Sequence, residues 1–309
     1  MSAPAARPDG SKVVLCPACG TVSKDLGPGP GGRPSALCRH CGSLERHRFL
    51  ALAAAAFRAA AGPGLLLDVA PSRQLSSLLR TVANGAYVAI DFDPAADGRL
   101  VDVQASLTDI PLPDRSVAMI VCSHVLEHVP DDRRAMHEMA RVLVPDGLLL
   151  VLIPWRAGPT DEDPSATESE RLRRFGQADH VRYYGDDFED RLRDAGLEPT
   201  VMQPHQVIAP DVLEVTGIAP DEKLWLCRRS GSQILDMGTL AETVGRQATS
   251  QLVEALRQVV AREPEPEPPR EPGPAPTPES TAHSMYRRLR RTRLGRQSAA
   301  LLRPLRRGR

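Results

Sequence analysis

The chain has 309 residues, 41% of them hydrophobic and 25% charged, and its 39 basic and 39 acidic side chains give a formal net charge of zero. That length accommodates one full α/β domain with an accessory module and a tail, and the composition is that of a folded globular chain. The charge balance excludes a global pull toward nucleic acid or anionic membrane, so any such preference must be local.

Residues 1–12 are polar and rich in Pro and Ala; they lack the apolar core of a secretory signal and are expected to be disordered. No stretch of the sequence is apolar for long enough to span a bilayer, so a cytoplasmic location is expected. Cysteines in that compartment are read as metal ligands or core residues before disulfides. Residues 13–43 carry Cys16-Pro-Ala-Cys19-Gly and Cys38-Arg-His-Cys41-Gly, two C-x-x-C-G units. The two-residue gap lets both thiolates of a unit face one ion, and the glycine frees the backbone to turn beneath the sulfurs. Two such units close a tetrahedral Zn²⁺ site with no open position, so Cys16, Cys19, Cys38 and Cys41 are expected to form a structural zinc ribbon. Two reduced dithiols, or redox chemistry, is the other reading of the same residues; His40 and His47 are the nearby competitors for the ion. Residues 44–61, rich in Leu and Ala, read as a connecting helix.

From about residue 62 to 230 apolar runs alternate with helix-like segments. Leu65–Ala70 is a strand candidate, followed by a helix over Ser72–Val82, a strand at Ala86–Asp91 and a third near Leu100–Val103. Val117–Cys122 is apolar throughout, as expected of a strand buried on both faces of a parallel sheet. A helix over Asp131–Leu143 opens on two carboxylates, which suits the positive end of its dipole. Gly147–Ile153 is the next buried strand, Asp186–Ala195 a helix closed by Gly196, and the last strands are expected at Thr200–Val207 and Lys223–Arg228. Cys122 and Cys227 fall inside strands and read as core residues. This alternation predicts a Rossmann-like, doubly wound α/β sheet covered by helices.

Residues 231–262 read as a moderately amphipathic helix. Residues 263–284 are a Pro/Glu-rich linker that cannot bury a core, and residues 285–309 an Arg-rich, disordered tail. The tail is a candidate contact for an acidic partner, nucleic acid or a membrane surface, against the plainer reading of a solvated segment.

An open parallel sheet binds ligands beyond the carboxyl ends of its strands, where strand order reverses. The residues there are Asp68-Val69-Ala70-Pro71-Ser72 after the first strand and Asp91-Phe92-Asp93 after the second. An acid in Asp91's position can accept hydrogen bonds from both hydroxyls of a ribose, and the helix starting near Ser72 aims its N–H groups at an anion. An isolated Asp after an apolar run is also a common turn former.

The strings Ser123-His124-Val125-Leu126-Glu127-His128-Val129-Pro130-Asp131-Asp132 and Arg141-Val142-Leu143-Val144-Pro145-Asp146-Gly147 are more specific. They resemble the class I S-adenosylmethionine-dependent methyltransferases of the small-molecule type, with an "LEH" after the fourth strand and an "RVLxPGG" before the fifth. The closest likeness is to a subgroup with an N-terminal zinc ribbon and an alanine–proline turn after the first strand. There the strings at Cys41–Arg48, His124–Asp132 and Phe175–Arg182 recur; the resemblance covers about residues 13–230. It implies a seven-stranded sheet and bound S-adenosylmethionine. Asp68 and Ala70 would line the methionine end, Asp91 the ribose, Ser106 and Leu107 the adenine edge, and Ser123 and His124 would lie beneath the sulfonium. The chain departs from the family where Ala70-Pro71 replaces a glycine-rich turn, Ser106 stands for an adenine-binding Asp, Ala118 for the Asp opening the fourth strand, and Asp146 for a turn glycine.

Methyl transfer needs alignment of an acceptor with the sulfonium methyl and exclusion of water, helped by a base for an alcohol or phenol. His124, His128 and His180 are the candidates, with Glu127 behind them; capping or packing is the plainer reading of each. Trp155 and Arg156, just past the fifth strand, are further candidates for the substrate side. The acceptor is expected to be a small or biosynthetic molecule. An RNA base methyltransferase and a non-catalytic zinc-ribbon interaction protein with a degenerate methyltransferase fold are the competing readings.

Overall fold

The structure, a computed structural model, describes residues 13–261 except 59, 84–85, 96–97 and 233–235. The expected disordered start, the Pro/Glu linker and the Arg-rich tail therefore lie outside the described residues. The chain opens with a small antiparallel ribbon, β1 (Val14–Leu15) and β2 (Val22–Ser23), and continues into helix α1 (Glu45–Phe57). Then follow β3 (Leu65–Val69), α2 (Ser76–Ala83), β4 (Tyr87–Asp91), β5 (Val103–Gln104), β6 (Val117–Ser123) and a single 3₁₀ turn at Leu126–His128. The second half contains α3 (Asp132–Val142), β7 (Leu143–Leu152), β8 (Asp161–Glu162), α4 (Glu168–Phe175), β9 (Arg182–Tyr183) and α5 (Phe188–Asp194). It closes with β10 (Leu197–Met202), α6 (Pro204–Val207), α7 (Pro210–Thr216), β11 (Leu224–Arg229) and α8 (Met237–Ala261).

Seven strands form one sheet in the order β10-β11-β7-β6-β3-β4-β5, the expected Rossmann-like arrangement. β5, β4, β3, β6 and β7 run parallel, and β11 pairs antiparallel with both β7 and β10. Strand alternation sorts the core into two layers. Leu66, Met119, Val121, Leu148, Leu150 and Leu226 join α1, α2 and α8 on one face. Leu67, Ile120, Cys122, Leu149, Val151, Trp225 and Cys227 join α3 and α5 on the other. Helix α8 docks through Leu240, Val244 and Ala248, one stripe at four-residue spacing. No helix of the described residues is long and apolar enough to cross a membrane.

The sequence reading needs two corrections at strand ends. The strand expected at Thr200–Val207 runs instead over Leu197–Met202, because Pro204 opens a helical turn and β10 is an edge strand that tolerates Pro199. The third strand is Val103–Gln104 rather than Leu100–Val103, and Leu100 is exposed in the preceding loop. The β8–β9 hairpin, α4 and α7 were not foreseen: each is short, and pairing of residues distant in sequence forms the hairpin.

The cysteine module belongs to the same compact unit. Cys16, Ala18, Leu26 and Cys38 lie in one apolar cluster with α1. Arg48 of α1 is fully buried and donates to the carbonyls of Ala36 and Ser43 at 2.9 Å and to that of Gly217 after α7. Gly217 has φ +60°, and a Cβ there would fall 2.4 Å from Leu26, so only glycine permits this approach.

Candidate functional site

The four cysteines converge as the spacing predicts. Gly20 and Gly42 take positive φ, and their N–H groups donate to the carbonyls of Cys16 and Cys38, each at 2.8 Å. This turns each loop beneath its pair of sulfurs. The Sγ atoms of Cys16 and Cys41 are 3.7 Å apart and those of Cys19 and Cys38 3.9 Å. Four thiolates at about 2.3 Å from one tetrahedral ion would stand about 3.8 Å apart, so the donor set fits zinc. His40 is exposed, and His47 accepts the Leu44 N–H at 3.1 Å on Nδ1, capping α1 rather than joining the cluster.

Strand order reverses between β3 and β6, and the two residues that leave these strands share an unusual backbone. Ala70 (φ +51°) and His124 (φ +55°) are left-handed, pinned by N–H bonds to Ile90 and Leu152 at 2.8 Å. A left-handed turn here is normally glycine's role. Ala70 adopts it without glycine, which explains how the chain keeps the turn while lacking the glycine-rich motif. Ala118 packs at the other end of the sheet, against the position a Gly64 Cβ would take, far from this crevice.

Two cavities meet over this switch point and share Val69, Ala70, Arg99 and His124. One, of about 850 Å³, is lined by Asp91, Phe92, Ser106, Leu107 and His128 among others. The other, of about 640 Å³, is lined by Asp68, Ser72, Ser123 and by Arg46 and His47 of α1. Every cofactor-side residue named from the sequence thus falls on one cleft, together with His124 and His128. Arg99 and Arg46, from a loop and from the helix behind the cysteines, were not foreseen; Phe92 lies at the strand exit already named, and His47, expected beside the metal, lines the cleft instead.

The larger cavity combines a carboxylate with apolar and aromatic walls. Asp91 is almost buried; its carboxylate accepts the Asp93 N–H at 3.0 Å and pairs with Arg99 at 2.8 Å. A ribose would have to share or displace that guanidinium. Phe92, 76% exposed, presents an aromatic face beside it, and Leu107 forms an apolar floor. The Ser106 hydroxyl is 2.7 Å from that of Thr108 and also accepts the Thr108 N–H, so its remaining capacity is limited.

The smaller cavity is polar. Asp68, buried at the end of β3, accepts the Tyr87 hydroxyl at 2.6 Å, and burial pushes its carboxyl up to about 7. The Ser72 hydroxyl and Arg46 Nε are buried there without partners. Burial holds the His47 imidazole down at about 3, so it is neutral.

Above the cleft the 3₁₀ turn and the loop before β9 form one wall. Glu127 is fully buried and holds His124 Nδ1 at 3.1 Å, leaving His124 Nε2 unpartnered. His128 Nδ1 faces Asp179 at 3.2 Å, and its ring stands edge-on to His180 at 4.6 Å. His180 is buried behind this pair and lines neither cavity; burial lowers its affinity for a proton. Arg182 locks the wall together, donating to the carbonyls of Leu126, Val129 and Pro130. The segments His124–Asp132 and Phe175–Arg182 are thus two halves of one packed wall. Trp155 lies under Lys223, and Arg156 pairs with Asp161; neither lines the two cavities.

Comparison with known proteins agrees with this geometry. Residues 67–151 match the family described as a methyltransferase domain. A Mycobacterium tuberculosis protein named as a probable S-adenosylmethionine-dependent methyltransferase is 41% identical over 76 residues, 22% of this chain and 28% of the relative. The 27-O-demethylrifamycin SV methyltransferase of Amycolatopsis mediterranei is 33% identical over 107 residues, 33% of this chain and 37% of that protein. The chain therefore spans under two fifths of these relatives' length. Among solved structures, a Burkholderia thailandensis 1,6-didemethyltoxoflavin-N1-methyltransferase with bound S-adenosylhomocysteine superposes with a TM-score of 0.40 at 16% identity, over 58% of this chain and 76% of that one. Residues 67–151, which hold the sheet from β3 to β7, thus match a methyltransferase domain.

Proposed function

We propose that the protein binds S-adenosylmethionine across the two joined cavities and transfers its methyl group to a small or biosynthetic acceptor, with zinc clamping the four-cysteine module. The observation that carries the reading is the coincidence of Asp68, Ala70, Ser72, Asp91, Ser106, Leu107, Ser123 and His124 on one cleft at the switch point. The larger cavity suits the adenosine: Asp91 for the ribose hydroxyls, Phe92 and Leu107 for the ring. The smaller suits the amino-acid end: Asp68 for an ammonium, and Ser72 and Arg46 for a carboxylate. The bound cofactor supplies an electrophilic methyl group. To His124, which lines both cavities and whose ring Glu127 orients, we assign the role of base toward an acceptor hydroxyl. The wall of Val129, Pro130 and Asp179 limits water at the adenosine half.

Calorimetric titration of zinc-loaded protein with S-adenosylmethionine tests this directly. Micromolar binding is expected, and Asp91→Ala should weaken it by about ten- to a hundredfold, the loss of hydrogen bonds to a charged acceptor. A well-folded protein that binds no cofactor would refute the reading and favour the non-catalytic alternative.

Asp68 adds a pH signature. Its carboxyl, up to about 7 in the empty cleft, must ionise beside the cofactor's ammonium, so binding expels a proton below that pH. Affinity is expected to fall as pH drops from 7 toward 5, by up to about tenfold per unit. The decline should vanish in Asp68→Asn. A flat profile in the unsubstituted protein would show that Asp68 does not meet the ammonium.

A further inference from the structure

From the geometry of the cleft wall we infer that Glu127, His128 and His180 form a second metal site, for a divalent first-row transition cation, on the wall that carries His124. This inference rests on the methyltransferase reading for its purpose but not for its chemistry. One ligand atom from each of the three residues lies within 4.8 Å of the others. A cation bound at about 2.0–2.2 Å would draw them to roughly 3.0–3.6 Å, a movement that side-chain rotation can supply.

Several independent features separate this cluster from an incidental grouping. Glu127 is 0% exposed, yet its Oε2 has no hydrogen-bond partner. His180 is 4% exposed, and its Nδ1 is likewise buried and unpartnered. A buried carboxylate oxygen left bare beside a bare imidazole nitrogen is costly, and a cation satisfies both at once. The surroundings have the form of an outer coordination layer. Asp179 Oδ2 holds His128 Nδ1 at 3.2 Å, and His124 Nδ1 holds Glu127 Oε1 at 3.1 Å. Such partners fix ring orientation and raise ligand basicity. The backbone is braced as well, since the Val181 N–H donates to the Glu127 carbonyl at 2.9 Å.

Two imidazoles and one carboxylate suit zinc, iron(II) or manganese and leave coordination positions open, unlike the four-thiolate cluster. His128 and Asp179 line the larger cavity, so the open positions face it, on the wall that carries His124. The ligand class this predicts is a donor able to bind a cation beside His124, such as a hydroxyl or a carboxylate, rather than an unactivated carbon.

The test titrates Mn²⁺ into full-length protein loaded with one equivalent of zinc per chain, which the four cysteines take first, and follows the loss of the free-ion electron paramagnetic resonance signal. Manganese prefers oxygen and nitrogen donors and leaves the thiolate cluster to zinc. One bound Mn²⁺ per chain is expected. Binding should weaken by at least about tenfold in Asp179→Asn, as for other outer-layer partners, and be lost in His128→Ala and His180→Gln. His128 is part-exposed, so His128→Ala decides the matter if the buried His180 variant fails to fold. No manganese binding, or binding unchanged in His128→Ala, overturns the inference. S-adenosylmethionine titration of the same samples separates the two ideas: cofactor binding without manganese sinks this site alone, and manganese binding without cofactor sinks the methyltransferase reading alone.

Discussion

Replacing Cys38 with Ser, or stripping metal with a chelator, is expected to lower the stability of the whole 13–261 unit rather than to release one small module. In the proposed zinc module the four thiolates repel one another once the cation is removed. Cys41 beside it and burial push the Cys16 thiol above its ordinary range, so thiolates crowded here need a positive ion. The nearest protein cation is Arg48, buried and committed to the carbonyls of Ala36, Ser43 and Gly217. When the metal leaves, the loops carrying Ala36 and Ser43 loosen, and Arg48 is left buried with fewer acceptors. The ribbon's Leu26 then loses its seat on Gly217, and Cys16, Ala18 and Cys38 withdraw from the cluster they share with α1. Structural zinc contributes about 10–16 kcal/mol of apparent binding energy in isolated fingers, against a total domain stability of about 5–15 kcal/mol. Even a third of that, spread through the shared core, would lower the melting midpoint by roughly 10 °C or more. Differential scanning calorimetry with parallel zinc analysis should show one transition at a lower temperature. An unchanged midpoint after complete metal loss would mean that the ribbon is a passenger on the domain.

The fold was legible in the sequence wherever burial was two-sided. Val117–Cys122 and Gly147–Ile153 are apolar at every position because both faces of the sheet are covered, and each appears where expected, give or take a few residues. The cysteine module was legible for a different reason: coordination chemistry fixes residue type and spacing together. The β8–β9 hairpin was hidden because its partners, Asp161–Glu162 and Arg182–Tyr183, are polar and distant in sequence. The same logic divides the cleft. Asp91 ends a strand and could be placed by topology, whereas Ser123 was placed by the family resemblance. Arg99, which pairs with Asp91, sits in a loop with no periodicity, and Arg46 arrives from a helix that the sequence offers only as a connector. His180, one of the three candidate bases, stands one layer back, behind His128, because Arg182 draws its loop onto the 3₁₀ turn.

That last contact carries the second large expected effect. Arg182→Ala should destabilise the protein by about 3–5 kcal/mol, the range for removing one partner of a buried charge network. The guanidinium is only 1% exposed, and all of its edges are used. It serves the carbonyls of Leu126, Val129 and Pro130, bonds Glu162 at 3.1 Å and lies 3.6 Å from Asp132. Deletion leaves three carbonyls of the 3₁₀ turn and its exit without donors in a place water does not reach. Arg191 still holds Asp132 and Glu162, at 3.2 Å and 2.9 Å, so the acids remain partly compensated and the penalty falls mainly on the turn. Arg182→Lys should recover little, since one ammonium cannot span the fan of carbonyls that a planar fork reaches. Arg174→Ala is the matched control: its pairs with Asp161 and Asp163 are part-exposed, and its loss should cost under about 1 kcal/mol. Because Val129 and Pro130 also line the larger cavity, the Arg182 variant should lose cofactor affinity as well as stability, while the Arg174 variant should lose neither. Urea denaturation and cofactor titration of the three variants check this together. A midpoint for Arg182→Ala no lower than that of Arg174→Ala would show that the wall is held by its apolar packing and not by the buried guanidinium.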